Sequence, residues 1–164
     1  MNGRLLQLSP VARRNMKMVH ASDYDPETLL MSRQLFTSTI SDYLTRRKTE
    51  TLSDYCWYAL SIKFKTDPVR MDTSIVLKNI RKILDKIRRI EEPVCHFDTS
   101  EVKIAVFEDL ERLKVLFKLM QKAIRNASKV KNKCLQQVFG TLELNMQLAR
   151  LSESGLLVFD KIQK

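Results

Sequence analysis

The chain has 164 residues, of which 44% are hydrophobic and 29% are charged, a balance typical of one folded domain and not of a disordered segment. Its 29 basic and 19 acidic residues give a formal net charge of +10. The sequence holds no apolar run of about eighteen residues, so a membrane span is not expected. Its three cysteines lack a Cys-x-x-Cys spacing, so a disulfide framework is not expected either.

Glycine is scarce in this sequence. Gly3, Gly140 and Gly155 are the only three. The hairpin turns that are common in antiparallel sheets need residues that tolerate a positive φ, and glycine tolerates it best. A β-rich protein of this length would need more such residues. The composition therefore predicts an all-α protein.

The first 24 residues are predicted to form a basic N-terminal arm. Arg4, Arg13, Arg14 and Lys17 lie in it, and no acidic residue precedes Asp23. The leucines near the start are soon followed by proline and arginine, which is unlike the apolar segment of a secretion signal. A mitochondrial presequence is the minor alternative, because such segments are basic and poor in acids.

Two helices are predicted in the first half of the chain. The tripeptide Asp-Pro-Glu at residues 25–27 is a typical helix start, because the aspartate can accept hydrogen bonds from free amides and proline suits the first turn. Apolar residues at helical spacing extend this first helix to Lys48. A second helix of roughly fifteen residues is predicted by the same spacing; its apolar residues run from Leu52 to Phe64, and Asp67-Pro68 stops it.

A repeated apolar spacing of four and three residues marks a third and a fourth helix. The third is predicted from Asp72, its N-cap, to Glu92, just before Pro93. The fourth is predicted to begin at cap residues 98–100, which read Asp-Thr-Ser. The apolar seams are Val76, Ile80, Ile83, Ile87 and Ile90 in the third helix, and Val106, Leu110, Leu113, Phe117, Met120, Ile124 and Ala127 in the fourth.

The last third of the sequence leaves two alternatives open. The apolar rhythm is interrupted near residues 129–133 and then resumes to Arg150, so residues 100–152 form either one long helix or two. Gly155 is predicted to end the last helix. The expected fold is a single-domain bundle of four to five helices over residues 25–164, in which the third and fourth helices form a long antiparallel hairpin. We interpret the seams as core, in preference to an exposed dimerisation coiled coil.

The sequence lacks the parts that catalysis usually requires. His20 and His96 are its only histidines, and the Cys95-His96 pair, expected in a loop, has no second pair at ligand spacing for zinc. It contains no glycine-rich phosphate loop, no Gly-x-Ser-x-Gly elbow and no His-Glu-x-x-His motif. We therefore expect a protein that is not an enzyme and that takes no metal, no cofactor and no small-molecule substrate.

The positive charge is spread along the chain, with two local concentrations. Clustered basic side chains bind phosphate backbones by releasing counterions. The candidate nucleic-acid contacts are Lys78, Arg81, Lys82, Arg88 and Arg89 on the third helix, and Lys122, Arg125, Lys129, Lys131 and Lys133 further along. A second candidate surface is the apolar tail, where Leu156, Leu157 and Phe159 are predicted to contact a protein partner.

The absence of catalytic motifs and the length of the apolar seams together predict a non-enzymatic interaction or regulatory subunit. It would bind a protein partner, or a second copy of itself, through helix faces. The alternative is a basic protein that binds RNA or DNA backbones, and a weaker alternative is a secreted helical-bundle cytokine. An intracellular location, in the cytoplasm or nucleus, is expected from the unpaired cysteines.

Overall fold

A computed structural model of the chain describes residues 23–49, 57–65, 73–127 and 133–162. The predicted basic arm lies outside these ranges, apart from its last two residues. The described part combines four helices with a six-stranded sheet. The prediction of an all-α helical bundle, with a long antiparallel hairpin of its third and fourth helices, is therefore wrong. The protein is α/β.

The elements alternate along the chain. In the first half they are β1 (Met31–Ser32), α1 (Arg33–Thr49), β2 (Trp57–Lys63) and α2 (Thr73–Ile87). In the second half they are β3 (Val94–Asp98), β4 (Glu101–Phe107), α3 (Leu110–Ala127), α4 (Lys133–Gly140), β5 (Glu143–Leu151) and β6 (Leu157–Lys161).

The sheet is mixed, with the strand order β1-β3-β4-β2-β5-β6. The short β1 pairs with β3 in parallel, and every other pair of neighbouring strands is antiparallel. The central strand β2 lies between β4 and β5, although these two strands are distant from it in sequence. Long-range pairing of this kind leaves no local signal in the sequence.

Both faces of the sheet are covered by helices. Leu60 and Ile62 of β2 belong to the main core, which α2, α3 and α4 cover on one face. Trp57 belongs to a second core on the other face, which α1 covers with its buried Phe36 and Ile40. Successive side chains of a strand point to opposite faces, so a strand covered on both sides is apolar along nearly its whole length.

This double burial explains why the second predicted helix is wrong. Residues 57–63 form β2, whereas the sequence predicts them to be helical. Within β2, only Tyr58 and Lys63 are not buried, so burial does not alternate along the strand, and its first four residues are all hydrophobic. Short apolar runs of this kind cannot be assigned to helix or strand from spacing alone.

The scarcity of glycine does not exclude a sheet here, because several turns of this fold are built from other residues. The β3–β4 hairpin turns at Asp98, Thr99 and Ser100, where the Asp98 carboxylate accepts a hydrogen bond from the Thr99 amide at 2.8 Å. Leu29 and Glu108 adopt a positive φ of 62° without being glycine. The hairpin residues Asp98, Thr99 and Ser100 are the ones predicted to cap the fourth helix.

All residues of the two predicted seams except Ile90 belong to the main core or pack against it. Within these helices, α2 occupies residues 73–87 and α3 residues 110–127, and both contribute to the main core. Between them lie β3 and β4, so they do not form a helical hairpin. Val106, predicted in the fourth helix, is a buried residue of β4. Ile90, predicted in the third seam, follows the end of α2 and is 65% exposed.

The region predicted as one or two helices over residues 100–152 contains two helices and two strands. After α3 and α4 the chain enters β5, and Gly155 lies in the turn to β6 with a φ of +82°. Gly155 therefore has a positive φ in a turn between two strands, and the prediction that it ends a helix is wrong. No helix in the described part of the chain is long and apolar enough to cross a membrane.

Candidate functional site: a buried polar cluster on the sheet

Four polar side chains meet on the sheet face that α1 covers. Ser61 belongs to β2, Glu101 and Lys103 to β4, and Gln147 to β5. Ser61 lies opposite Lys103 in the β2–β4 register, and alternation along each strand directs these side chains to the same face as Trp57. We call Ser61, Glu101, Lys103 and Gln147 the polar cluster.

The side chains of the polar cluster bind each other. The Lys103 ammonium lies 3.0 Å from Glu101 Oε2 and donates a hydrogen bond to Gln147 Oε1 at 2.5 Å. The Ser61 hydroxyl donates to the same Glu101 oxygen. Lys103 is only 2% exposed and Ser61 is fully buried. The buried charge of Glu101 is thus balanced by an internal cation and further stabilised by a hydroxyl.

Two aromatic rings contact the ammonium group of Lys103. The Lys103 ammonium lies 4.6 Å from the centroid of the Phe97 ring and 4.5 Å from that of Phe159. The faces of aromatic rings attract cations, most strongly where water is excluded. Burial lowers the pKa of Lys103, and the adjacent Glu101 opposes part of that effect.

Two exposed cations, Arg33 and Lys63, lie beside the polar cluster near the β3–β4 turn. The Arg33 guanidinium at the start of α1 lies 4.3 Å from the Phe97 ring centroid and donates to the Phe97 carbonyl oxygen at 3.4 Å. Lys63, at the end of β2, faces Glu101 in register and is exposed. We call this exposed margin, formed by Arg33, Lys63, Thr99 and Ser100, the hairpin rim.

Metal-ligating groups do not converge here. Within residues 23–49, 57–65, 73–127 and 133–162, no three His, Cys, Asp or Glu side chains are placed to hold one ion. The sequence predicts Cys95 and His96 in a loop, but in the structure both lie in β3. The Cys95 thiol is fully buried, and burial raises its pKa above the ordinary value. A buried neutral thiol is a poor nucleophile and metal ligand.

The basic residues predicted as nucleic-acid contacts lie far from the polar cluster, on the other side of the sheet. Several of them form ion pairs: Lys78 with Glu27 at 3.2 Å, and both Arg81 and Arg88 with Asp85. Lys82 and Arg89 are exposed on α2 or just after it, and Lys122 and Arg125 are exposed on α3. Lys133 begins α4, whereas Lys129 and Lys131 lie outside the described residues.

The three tail residues predicted to contact a protein partner lie at the other edge of the sheet. Leu157 and Phe159 belong to β6 and pack against the core beneath α1. Leu156, just before the strand, is 67% exposed. Their role as partner contacts stays a prediction.

Sequence reasoning missed the polar cluster altogether. Glu101 and Lys103 alternate with Val102 and Ile104, which is the period-two pattern of a strand. That signal was available, but these residues were assigned to the start of a helix. The pairing with Ser61 and Gln147 had no signal, because it depends on which strands become neighbours.

Comparisons with known proteins identify the fold. No family model and no curated protein sequence matches the chain. Among solved structures, the GGDEF domain of DgcB from Caulobacter crescentus, crystallised in complex with c-di-GMP, is similar with a TM-score of 0.55 at 8% identity, over 81% of this chain and 77% of that one. The fold is GGDEF-like.

Further solved structures support the GGDEF-like fold. The FimX GGDEF domain from Pseudomonas aeruginosa matches with a TM-score of 0.56 at 13% identity, over 79% of this chain and 80% of that one. A sensory box/GGDEF family protein from Caulobacter crescentus CB15 matches with a TM-score of 0.51 at 10% identity, over 77% and 81% of the two chains.

The GGDEF-like fold corrects the predicted function. The expectation of a non-enzymatic interaction subunit rested on helix faces of an all-α bundle, and this chain has the α/β fold of GGDEF domains instead. The alternative of a helical-bundle cytokine is wrong for the same reason. The alternative of a basic protein that binds RNA or DNA backbones is not supported by the comparisons, since the similar structures are GGDEF domains. The expectation that the protein is not an enzyme is not supported either, because the motifs whose absence suggested it belong to other folds and the chain resembles GGDEF domains instead.

Proposed function

We propose that this chain binds a guanine nucleotide at the hairpin rim, with c-di-GMP as the first ligand to test. The observation that carries the proposal is the likeness to the DgcB GGDEF domain, whose crystal structure contains c-di-GMP. The proposal concerns binding and not synthesis. The letters of the domain name spell Gly-Gly-Asp-Glu-Phe in one-letter code, and no two glycines are adjacent in this chain.

The hairpin rim offers the groups that such a ligand needs. c-di-GMP presents phosphodiester groups and guanine bases. A guanidinium binds either of them through paired hydrogen bonds, to phosphate oxygens or to O6 and N7 of guanine. Arg33 is exposed and already oriented by its contact with the Phe97 ring at 4.3 Å. Lys63 adds a second exposed cation, and Thr99 and Ser100 add hydroxyl groups.

The polar cluster supports this rim from beneath. Phe97 contacts the buried Lys103 as well as the exposed Arg33, so it connects the cluster to the rim. The amide of Phe64 donates to the Ser100 carbonyl oxygen at 3.0 Å, which fixes the hairpin turn against the end of β2. A binding site whose first contacts are held by buried neighbours loses less conformational entropy on binding.

Isothermal titration calorimetry with c-di-GMP, and separately with GTP, tests the proposal. Arg33→Ala is expected to weaken binding about 10- to 100-fold, because hydrogen bonds to charged groups contribute about 1.5–3 kcal/mol. Arg46→Ala is the matched control, since Arg46 is exposed on the same helix near its other end. The control should bind as the unmodified chain does.

Two results would contradict the proposal. One is the absence of binding heat for both nucleotides with a folded protein. The other is an equal loss of affinity in Arg33→Ala and Arg46→Ala, which would indicate a general electrostatic effect of removing one positive charge.

A further inference from the structure

The outer surface of α2 and α3 is strongly basic. The two helices pack side by side on the face of the sheet opposite the polar cluster. The sequence of α2 contains four basic residues and one acidic residue, and that of α3 contains five and one. These two helices therefore account for most of the formal net charge of +10. We call their solvent side the helical-layer surface.

The cations form a row along each helix. Lys78, Lys82 and Lys86 follow one another at intervals of four residues on α2, as Lys114, Lys118 and Lys122 do on α3. Residues four apart lie above one another on the same side of a helix. Asp85 and Glu111, the acids of these helices, already pair with basic neighbours. Lys82, Lys86, Lys118 and Lys122 form no ion pair with a residue that the structure describes.

Aliphatic side chains are exposed among these lysines. Ile75 of α2 is 43% exposed and Val115 of α3 is 47% exposed, and Ile90 just after α2 is 65% exposed. A nucleic-acid backbone has phosphates for the lysines but no continuous apolar layer for these side chains. The surface of an anionic bilayer has both, because its headgroups attract lysine and its acyl boundary accepts short aliphatic groups.

We infer that the helical-layer surface docks the protein onto an anionic lipid bilayer. Two helices side by side present their cations in parallel rows, which suits a flat surface better than a groove. Lysine stems also extend along apolar surface while their ammonium groups stay at the headgroups. In this orientation the hairpin rim, on the opposite side of the sheet, faces the aqueous phase. The inference does not depend on the proposed nucleotide function.

Sedimentation with lipid vesicles tests the inference. Vesicles of phosphatidylcholine alone are compared with vesicles that contain roughly one quarter phosphatidylserine. The full chain should bind only the second kind, and less strongly as salt rises. The triple variant Lys82→Gln, Lys118→Gln, Lys122→Gln should bind about 10- to 100-fold more weakly, since each lysine near an anionic surface contributes on the order of a few-fold.

A matched control separates this surface from net charge. The triple variant Lys63→Gln, Lys65→Gln, Lys161→Gln removes the same charge from exposed lysines in or just after strands β2 and β6, outside α2 and α3. It should keep vesicle binding within about twofold, because charges beyond a Debye length are screened. Equal loss in the two triple variants would overturn the inference.

The aliphatic side chains distinguish a bilayer from another polyanion. The double variant Ile75→Ser, Val115→Ser should weaken vesicle binding by about tenfold, through the loss of buried apolar area. Circular dichroism confirms that each variant is folded. Unchanged vesicle binding in this double variant, together with tighter binding of a DNA duplex, would identify the surface as a nucleic-acid contact. An equal affinity for both kinds of vesicle would also overturn bilayer docking.

Discussion

Arg112 of α3 and Glu92 in the loop before β3 form a two-bond ion pair that is almost closed to solvent. The guanidinium donates to the two carboxylate oxygens at 2.9 and 2.8 Å, and the side chains are 10% and 4% exposed. Arg112 also donates to the Ile87 carbonyl oxygen at 2.8 Å, at the end of α2. One side chain thus joins the end of α2, the following loop and the start of α3.

Arg112→Met is expected to destabilise the protein by about 3–5 kcal/mol, because it leaves the Glu92 charge buried without its cation. The free energy of unfolding in urea measures this. Lys114→Met is the control, since the pair Lys114–Glu111 is largely exposed and should contribute less than about 1 kcal/mol. Similar losses in the two variants would show that the Arg112 pair is not shielded from solvent in the folded protein.

The polar cluster should behave as one coupled unit. Lys103→Met leaves Glu101 buried with only the Ser61 hydroxyl, so it should destabilise the protein by about 3–5 kcal/mol. The double variant Lys103→Met, Glu101→Met removes both charges and should be more stable than the sum of the two single changes predicts. A double-mutant cycle on urea unfolding gives the coupling. Strict additivity would contradict the contact between the two side chains.

The two described glycines should respond differently to the same change. Gly155 has a φ of +82°, so Gly155→Ala should destabilise the protein by about 1 kcal/mol through backbone strain. Gly140 is the last residue of α4, and an added Cβ there meets no atom within 4 Å. Gly140→Ala should be neutral or stabilising by up to about 1 kcal/mol. Equal effects in thermal unfolding would contradict the backbone geometry.

Asp25 should contribute stability that depends on pH. Its carboxylate accepts hydrogen bonds from the amides of Glu27, at 2.8 Å, and Thr28, at 3.5 Å. The Glu27 amide is the main reason why the pKa of Asp25 lies below its ordinary value of 3.8. A lowered carboxyl pKa means that this contribution is complete above pH 3.8 and is lost as the pH falls through the folded-state value.

Asp25→Ala should therefore cost about 1 kcal/mol near neutral pH, because the Glu27 and Thr28 amides of the turn lose their side-chain acceptor. The difference from the unmodified chain should shrink below pH 3.8, where thermal unfolding is measured again. Asp25→Asn keeps an acceptor oxygen and should lose the pH dependence but little stability. A stability difference that stays constant across this pH range would refute the role of the carboxylate.

The sequence by itself determined which side of α2 and of α3 is buried. The spacing of Val76, Ile80 and Ile83 places one side of α2 on the sheet, and the spacing of Leu113, Phe117 and Met120 does the same for α3. This pattern is visible because a helix with one buried side repeats its apolar residues every three or four positions.

Only the tertiary structure decided the strands and the candidate site. Leu60 and Ser61 are both fully buried, on opposite faces of β2, so neither face of the strand is the solvent-exposed polar face that usually identifies a strand in a sequence. Lys103 and Gln147 bind each other across 44 positions of sequence. Their contact exists because β4 and β5 lie on either side of β2, and such an arrangement follows from packing the whole chain rather than from any local pattern.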